Sequence, residues 1–580
     1  MLKQILDQAD ASSEPGFESK DVRWAIVFDG KGHFVELVEL GDVSKKFNRG
    51  KTFGHCPTFS QPEMKAGGVL KSHFLVETAE VIALYSKGEP SAKARPKHEY
   101  FVRLLEQAAD ACPSLALLAT AMASGETLAA IRSRLQELKA NPTDKVTVRI
   151  GGEYPVENLA CLDWYRVFRR TILPKAESEG KALCFATGEV ARCAKTHPKI
   201  KGLADVGGML AGDVLIGFDK DAFESYGLKQ SQNAAMSEQA AAAYTTSLNH
   251  LIKTSSRKLA AARVVYWYKN SVPVDLDPLE FMIEAEGRET LDAHARVRGL
   301  LDGIRSGELP ELMNNQYYAL TLSGAAGRVM VRDWMEGGFE DLTSHIDLWF
   351  TDLSIVNRYG DAQARPAKFF AVLASTVRDI KDLPSPFVAK MWRAAVRAEP
   401  FPRSALAMAL GRFRADVLSD DPFNHARIGV MKAFHLRNLR QKGGEIMANL
   451  EPRLNEEHPE QAYQCGRLMA VLAGLQRSAL GDVGAGVVQR YYASASTTPS
   501  LVLGRLTRTA QFHLNKIEPG LAHWYEDRLS SIWSRLNDAV PRTLDLEQQS
   551  LFALGYYQQM AEMRRKKVVE ADEEKEGNNG

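Results

Sequence analysis

Apolar and polar positions keep one rhythm in the first part of the chain and another in the last. Near the start, Trp24-Ala-Ile-Val-Phe28 is an apolar run, Asp29-Gly30-Lys31-Gly32 a Gly-rich turn, and His33-Phe-Val-Glu-Leu-Val-Glu-Leu40 a second run. Two such runs around a glycine turn predict a β-hairpin. Further strands are predicted at residues 74–76, 81–85, 145–150 and 214–218, with helices at 99–111, 127–139 and from about Ser237. Val264-Val-Tyr-Trp-Tyr268 reads as a buried strand, and residues 317–322 and 328–332, joined by small residues, as a second hairpin.

From about residue 340, Ala, Leu and Arg dominate and helical spacing takes over. After Gln461, positions 465, 468, 469, 472, 475, 476 and 479 share one stripe, with Arg467 and Arg477 outside it. Thr498 is placed to cap a helix whose first residue is Pro499. Leu503, Leu506, Ala510, Leu514 and Ile517 form its apolar stripe, and Arg505, Arg508 and Lys516 lie opposite, with Phe512 among them. The fold class expected is α+β: a mixed α/β N-terminal region followed by an all-α C-terminal helical bundle with a basic outer face. The segments expected are an N-terminal lobe at 1–150, a second α/β part at 151–339, the bundle at 340–563, and a charged, disordered tail at 564–580.

Composition adds little to this pattern. The 580 residues are 45% hydrophobic and 25% charged, ordinary for a soluble globular protein. No run of 18 apolar residues appears, so no membrane span is expected. Asp7 interrupts the start before an apolar segment of signal-peptide length can form. Six scattered cysteines suit a reducing compartment, so a cytoplasmic location is expected.

Charge changes the picture more. The formal net charge is only +1, but binding depends on where charges sit. Between Asp42 and Glu63 lie Lys45, Lys46, Arg49, Lys51 and His55 with no acid. Between Glu189 and Asp205 lie Arg192, Lys195, His197, Lys199 and Lys201, again with none. Residues 483–517 carry Arg490, Arg505, Arg508 and Lys516 and no Asp or Glu. Such tracts attract phosphate, although each alone also fits a solvated face.

Enzyme signatures are missing. Gly50-Lys51-Thr52 imitates the end of a phosphate-binding P-loop, but position 45 is Lys where that loop needs Gly. There is no His-Asp doublet, and no carboxylate cluster has two-metal spacing. Asp275 and Asp277 fit a helix cap better than a metal site. Cys184, Cys193, His197, His55 and Cys56 lack any Cys-x-x-Cys spacing, so no metal and no cofactor are expected.

Residues 225–244 differ from these. A loop of amide and hydroxyl side chains, with Lys229, Ser231, Gln232 and Asn233, runs through Ser237 into an Ala-rich helix. Amides pair with base edges, and a helix N-terminus offers N–H groups to phosphate. The plain alternative is that Asn233 and Ser237 only cap the helix.

At this loop the sequence resembles the large-subunit family of the subtype I-C CRISPR surveillance complex, Cascade. The resemblance spans nearly the whole chain. It runs through Ile26-Val-Phe-Asp-Gly, Phe74-Leu-Val-Glu-Thr-Ala, Thr187-Gly-Glu, His197-Pro-Lys-Ile-Lys201-Gly, Ser225-Tyr-Gly with Gln232-Asn233-Ala, and Tyr244-Thr-Thr-Ser-Leu-Asn249. It continues through Gly466-Arg467-Leu, Gln476, Ala495-Ser-Thr-Thr-Pro499, His513-Leu-Asn-Lys516 and Phe552-Ala-Leu-Gly-Tyr-Tyr-Gln-Gln559. One departure is Ser323-Gly-Ala-Ala-Gly-Arg328, where the family more often has Pro and Asn after the Ser; Arg328 is kept.

The resemblance implies a non-catalytic subunit at one end of a crRNA-bound complex. Such a subunit reads the protospacer-adjacent motif in duplex DNA, helps open the duplex, contacts the displaced strand and recruits a separate helicase-nuclease. Its partners would be crRNA, target DNA, and the backbone, crRNA-end-binding and small subunits. Motif reading falls to Lys229, Ser231, Gln232, Asn233 and Ser237. Backbone contact falls to Lys45, Lys46, Arg49, Lys51, Lys195, Lys199, Lys201, Arg328, Arg467, Arg477, Arg505, Arg508 and Lys516. The resemblance also suggests a second, small-subunit-like product starting near Met447, after Lys442-Gly443-Gly444-Glu445-Ile446. Two other readings stay open: an RNA-binding or RNA-processing protein with His55 or His197 as general base, and a purely structural helical scaffold.

Overall fold

In a computed structural model of the chain, the residues described are 1–9, 13–42, 50–88, 91–172, 181–218, 221–223, 226–283, 293–417, 423–443, 450–481, 486–537 and 539–565. Lys45, Lys46, Arg49, Ser225, Met447 and the tail beyond 565 lie outside them. Contacts divide the chain into two compact units: Met1–Arg257 with Thr321–Trp334, and Lys258–Leu320 with Met335–Gly580.

The first unit holds β1 (Phe17–Val22), β2 (Trp24–Phe28), β3 (Phe34–Glu39), β4 (Lys51–Pro57), β5 (Val76–Thr78), β6 (Lys145–Ile150), β7 (Lys181–Leu183) and β8 (Val190–Arg192). The order in the main sheet is β3-β2-β6-β5. The β2–β3 pair is the expected hairpin, and β2 runs parallel to β6 with Trp24 opposite Val146. The longer helices are α1 (Ala94–Ala108), α2 (Ser114–Ala123), α3 (Gly125–Glu137), α4 (Leu159–Ile172) and α5 (Glu238–Thr254). Trp24, Ile26, Phe28 and Val148 share one core with Phe101, Leu118 and Ile131. Tyr165 of α4 lies in that same core.

Two strand expectations differ. Residues 79–82 form a short helix, entered from an extended Thr78 with Glu80 in its first turn. Periodicity cannot separate so short an apolar run from a strand. Of residues 214–218 only Val214 pairs, with Gly327 and Val329. No single described helix is long and apolar enough to cross a membrane. Helices α2 and α3 pass that test only as a pair bent by 82°, and they bury Leu115, Met122, Leu128 and Leu135 in the first core.

Strands β9 (Ser256–Leu259), β10 (Ala262–Tyr268), β11 (Gln316–Ala325) and β12 (Arg328–Gly338) form a sheet in the order β12-β11-β10-β9. The β11–β12 turn has Ala326 at φ 49° and Gly327 at φ 90°, the two left-handed residues a tight hairpin uses.

In the second unit come α6 (Ala293–Ser306), α7 (Phe339–Leu353), α8 (Ser385–Val396), α9 (Arg403–Asp416) and α10 (His425–Gln441). They are followed by α11 (Gln461–Leu480), α12 (Val487–Ala495), α13 (Pro499–Leu514), α14 (Pro519–Leu536) and α15 (Leu546–Arg564). Among the described residues no further strand follows β12, so the fold is α+β with the helical change of character near 340.

Helix α11 lies at the centre, buried on nearly every side from Ala462 to Leu472. It crosses α15 at two glycines. A Cβ at Gly466 would stand 1.9 Å from the Phe552 carbonyl oxygen, and one at Gly555 2.2 Å from that of Tyr463. Only glycine permits backbones this close.

Candidate nucleic-acid interface

The amide-rich loop folds on itself before α5 begins. Residues Gln230–Ala234 make a 3₁₀ turn. Asn233 Nδ2 donates to the Leu228 and Gln230 carbonyls at 2.8 and 3.3 Å, and the Lys229 N–H donates to Gln232 Oε1 at 3.0 Å. Ser237 is the cap of α5, its Oγ accepting from the Ala240 N–H at 3.1 Å. Asn233 therefore braces the loop, while the capping falls to Ser237. Ser231 and Ser237 are buried, whereas Lys229 and Gln232 are exposed.

The structure joins this loop to the second basic tract. The Ser231 N–H donates to the Lys195 carbonyl at 3.5 Å, and the Ala194 N–H to that of Met236 at 2.9 Å. Asn249 on α5 grips the other end of the tract, accepting from the Lys201 N–H at 2.7 Å and donating to the Lys199 carbonyl at 3.2 Å. Lys195 and Lys199 are exposed beside the loop. Lys201 is paired with Glu18, and Lys51 with Glu157 at 3.0 Å, above the rings of Phe53 and Tyr154. Arg328, at the end of the β11–β12 hairpin, lies over the Phe223 ring at 4.7 Å.

One residue of the loop escaped sequence reasoning. Tyr226 is fully exposed and holds φ 55°, followed by Gly227 at 74° and Gln230 at 51°. A left-handed non-glycine residue costs on the order of 1–3 kcal/mol and marks functional loops. The Ser-Tyr-Gly triplet was visible in the sequence, but nothing there set its tyrosine outward. The arginines of α4 (Arg166, Arg169 and Arg170) were also passed over, although their spacing places them on one helix face.

Of the histidines weighed as general bases, His197 is buried and His55 is partly exposed. His197 Nδ1 meets the Tyr244 hydroxyl at 2.9 Å, and burial lowers its pKa to about 4. His55 Nε2 lies 2.9 Å from Glu14 Oε2, with its ring stacked 4.0 Å from that of Phe17. Burial raises the Cys184 thiol pKa, but hydrogen bonds from the Thr187 side chain and from nearby backbone N–H groups outweigh this and bring it to about 7. Among the described residues, no three His, Cys, Asp or Glu side chains converge on a metal position. Asp277 caps the turn that follows it, accepting from the N–H groups of Leu279 and Glu280 at 2.9 and 3.2 Å.

In the second unit, α13 begins at Pro499 as expected, but the Thr498 side chain does not cap it; that hydroxyl donates to the Ser494 carbonyl at 3.1 Å, and Ile517 lies beyond the helix end. Leu503, Leu506, Ala510 and Leu514 are buried, while Arg505, Arg508, Lys516 and Phe512 are exposed. Arg477 is exposed on α11. Arg467 corrects the expectation of an outer-face cation. It is buried, with Nε donating to Gln559 Oε1 and Nη1 to Gln464 Oε1 and the Glu456 carbonyl, each at 2.9 Å. The error was to give α11 a single buried stripe, when its central position buries it nearly all round.

The first unit thus presents an amide loop beside exposed lysines, and the second a helix face of cations around a phenylalanine. No curated protein matches the sequence. The family model described as CRISPR-associated protein (Cas_Csd1) matches residues 2–564. The chain belongs to this family, the large subunit of subtype I-C Cascade.

Proposed function

We propose that the chain is the non-catalytic subunit that reads the protospacer-adjacent motif for a crRNA-guided complex. It then aids duplex opening and recruits a helicase-nuclease in trans, in the cytoplasm. The observation that carries this reading is the loop of Lys229, Gln232 and Asn233, braced by its own backbone and bonded to the tract of Lys195. An amide at a base edge beside cations for the flanking phosphates is what motif reading requires, since guide pairing supplies the remaining sequence specificity. Ser231 and Ser237 act from inside by holding the loop on α5. Tyr226 offers a free aromatic face to a base unstacked as the duplex opens. Arg477, Arg505, Arg508, Lys516 and Phe512 suit backbone tracking along the guide–target duplex or displaced strand.

RNA processing finds less support, because both ring nitrogens of His197 are enclosed, Nδ1 against the Tyr244 hydroxyl, and His55 is engaged by Glu14. The test is binding of the assembled complex to duplexes that differ only in the adjacent motif. Wild type should discriminate between them and a Gln232→Ala/Asn233→Ala variant should not; equal discrimination by both would overturn the reading.

A further inference from the structure

The first unit contains a cavity of about 330 Å³ whose wall is unusually rich in arginine. Helix α4 contributes Arg166, Arg169 and Arg170, and β8 contributes Arg192. Facing them are three carboxylates, Glu14, Glu63 and Glu238. Two of the arginines are already neutralised. Arg166 donates through Nε and Nη2 to Glu14 at 2.8 Å each, and its Nη1 reaches Asp163. Arg169 Nε lies 2.7 Å from the fully buried Glu63.

The other two arginines are less well matched. Arg170 is exposed and has no ion pair among the described residues. Arg192 has only Glu238, at 3.9 Å, and that carboxylate also stands 3.4 Å from Arg169 Nη2. Glu238 is the first residue of α5, and Gln239 beside it also lines the cavity. Among the described residues, no acceptor meets the backbone N–H of Glu238 or Gln239, because the Ser237 hydroxyl takes that of Ala240. At this wall Arg169 and Arg192 share one partly exposed carboxylate, while Arg170 and the N–H groups of Glu238 and Gln239 have no anion of their own among the described residues. Planar guanidiniums and a helix N-terminus together recognise phosphate.

We propose that this cavity binds a phosphodiester of a nucleic-acid backbone, and that Glu238 is the carboxylate the phosphate displaces. The site lies one residue beyond the Ser237 cap of the amide loop, so a phosphate held here fixes the register of the strand that the loop meets. The proposal takes from the preceding reading only that the ligand is nucleic acid. crRNA and target DNA share the chemistry, and the measurement separates them.

The experiment uses the full chain with a labelled single-stranded RNA and, separately, a labelled duplex of random sequence, titrated across a salt series. Arg170→Gln/Arg192→Gln should weaken binding about tenfold at low salt and flatten the salt slope by one to two for the nucleic acid that occupies the cavity. Flattening with RNA alone assigns a guide phosphate, and with DNA alone a target phosphate. Unchanged slopes with both overturn the proposal. Should the double variant fail to fold, Glu238→Gln decides alone: several-fold tighter binding supports the site and unchanged binding overturns it. The probes carry no fixed motif, so failure of motif reading would leave these results standing.

Discussion

Arg437 on α10 and Asp352 on α7 form an ion pair almost wholly closed to solvent, with Nε 2.8 Å from Oδ2. Arg440 adds two contacts to the same carboxylate, at 3.0 and 2.8 Å, and Arg437 also donates to the Glu399 carbonyl at 3.0 Å. Removing the acid would leave a buried guanidinium without its counter-charge. Asp352→Ala is expected to destabilise the second unit by about 3–5 kcal/mol. A thermal melt that leaves this unit's transition unmoved would refute the estimate.

Gln232 should be separable from Asn233. Gln232 is exposed and accepts from the Lys229 N–H, whereas Asn233 ties two carbonyls of its own loop. Gln232→Ala should cost about 1–3 kcal/mol on the correct motif and relax specificity at one position. Asn233→Ala should lose more, because the loop loosens as well. Equal loss on motif-free DNA would assign both residues to general affinity.

Among the cations, pairing should rank the effects. Lys195→Gln and Lys199→Gln should each lower the salt slope of binding by about one. Lys51→Gln and Lys201→Gln should lower it less, because Glu157 and Glu18 already share those charges. Arg467→Gln should leave the slope intact and lower the melting temperature, as expected of a buried donor to Gln559, Gln464 and the Glu456 carbonyl. Slopes measured for the five variants test the ranking.

Stability should fall with acid. Burial lowers the pKa of each of His197, His435 and His458 to about 4, from an ordinary value of 6.5. Between those pH values the unfolded chain binds protons that the folded chain refuses. The stabilising contribution is thus complete above about pH 6.5 and is lost as pH falls through 4, at about 1.4 kcal/mol per pKa unit for each group. Asp277 acts in the opposite sense, since burial raises its pKa to about 6 and the folded state takes up its proton first. With three histidines against one aspartate, the melting temperature should drop on acidification, and less steeply in His197→Gln. A flat profile from pH 7 to 4.5 would rule this out.

Local signals were legible where local physics decides. The Asp29-Gly30-Lys31-Gly32 turn fixed the β2–β3 hairpin, and Pro499 with the spacing of Leu503, Leu506 and Ala510 fixed α13 and its exposed cations. The misses are positions decided by distant parts of the chain. Arg467 reads as a surface cation until α15 covers it, and residues 81–85 read as a strand although a helix starts two residues earlier, at Ala79. Likewise, the cavity at α4 draws Glu14, Glu63, Arg192 and Glu238 from four separate segments, which no spacing rule connects.

The glycine crossing of α11 and α15 also bears on how the chain is made. Helix α11 is buried on nearly every face from Ala462 to Leu472, and its principal cover is a helix synthesised well after it. At about 5–20 residues per second, a ribosome needs on the order of several seconds to deliver α15 after α11 has emerged. During that interval Tyr463, Gly466 and Arg467 lack the α15 residues they pack against and bond to, and the nascent second unit is a substrate for chaperones. Subunit biogenesis then depends on how quickly the last helix arrives, and stalls or premature stops between codons 480 and 546 should yield aggregates instead of shorter folded proteins.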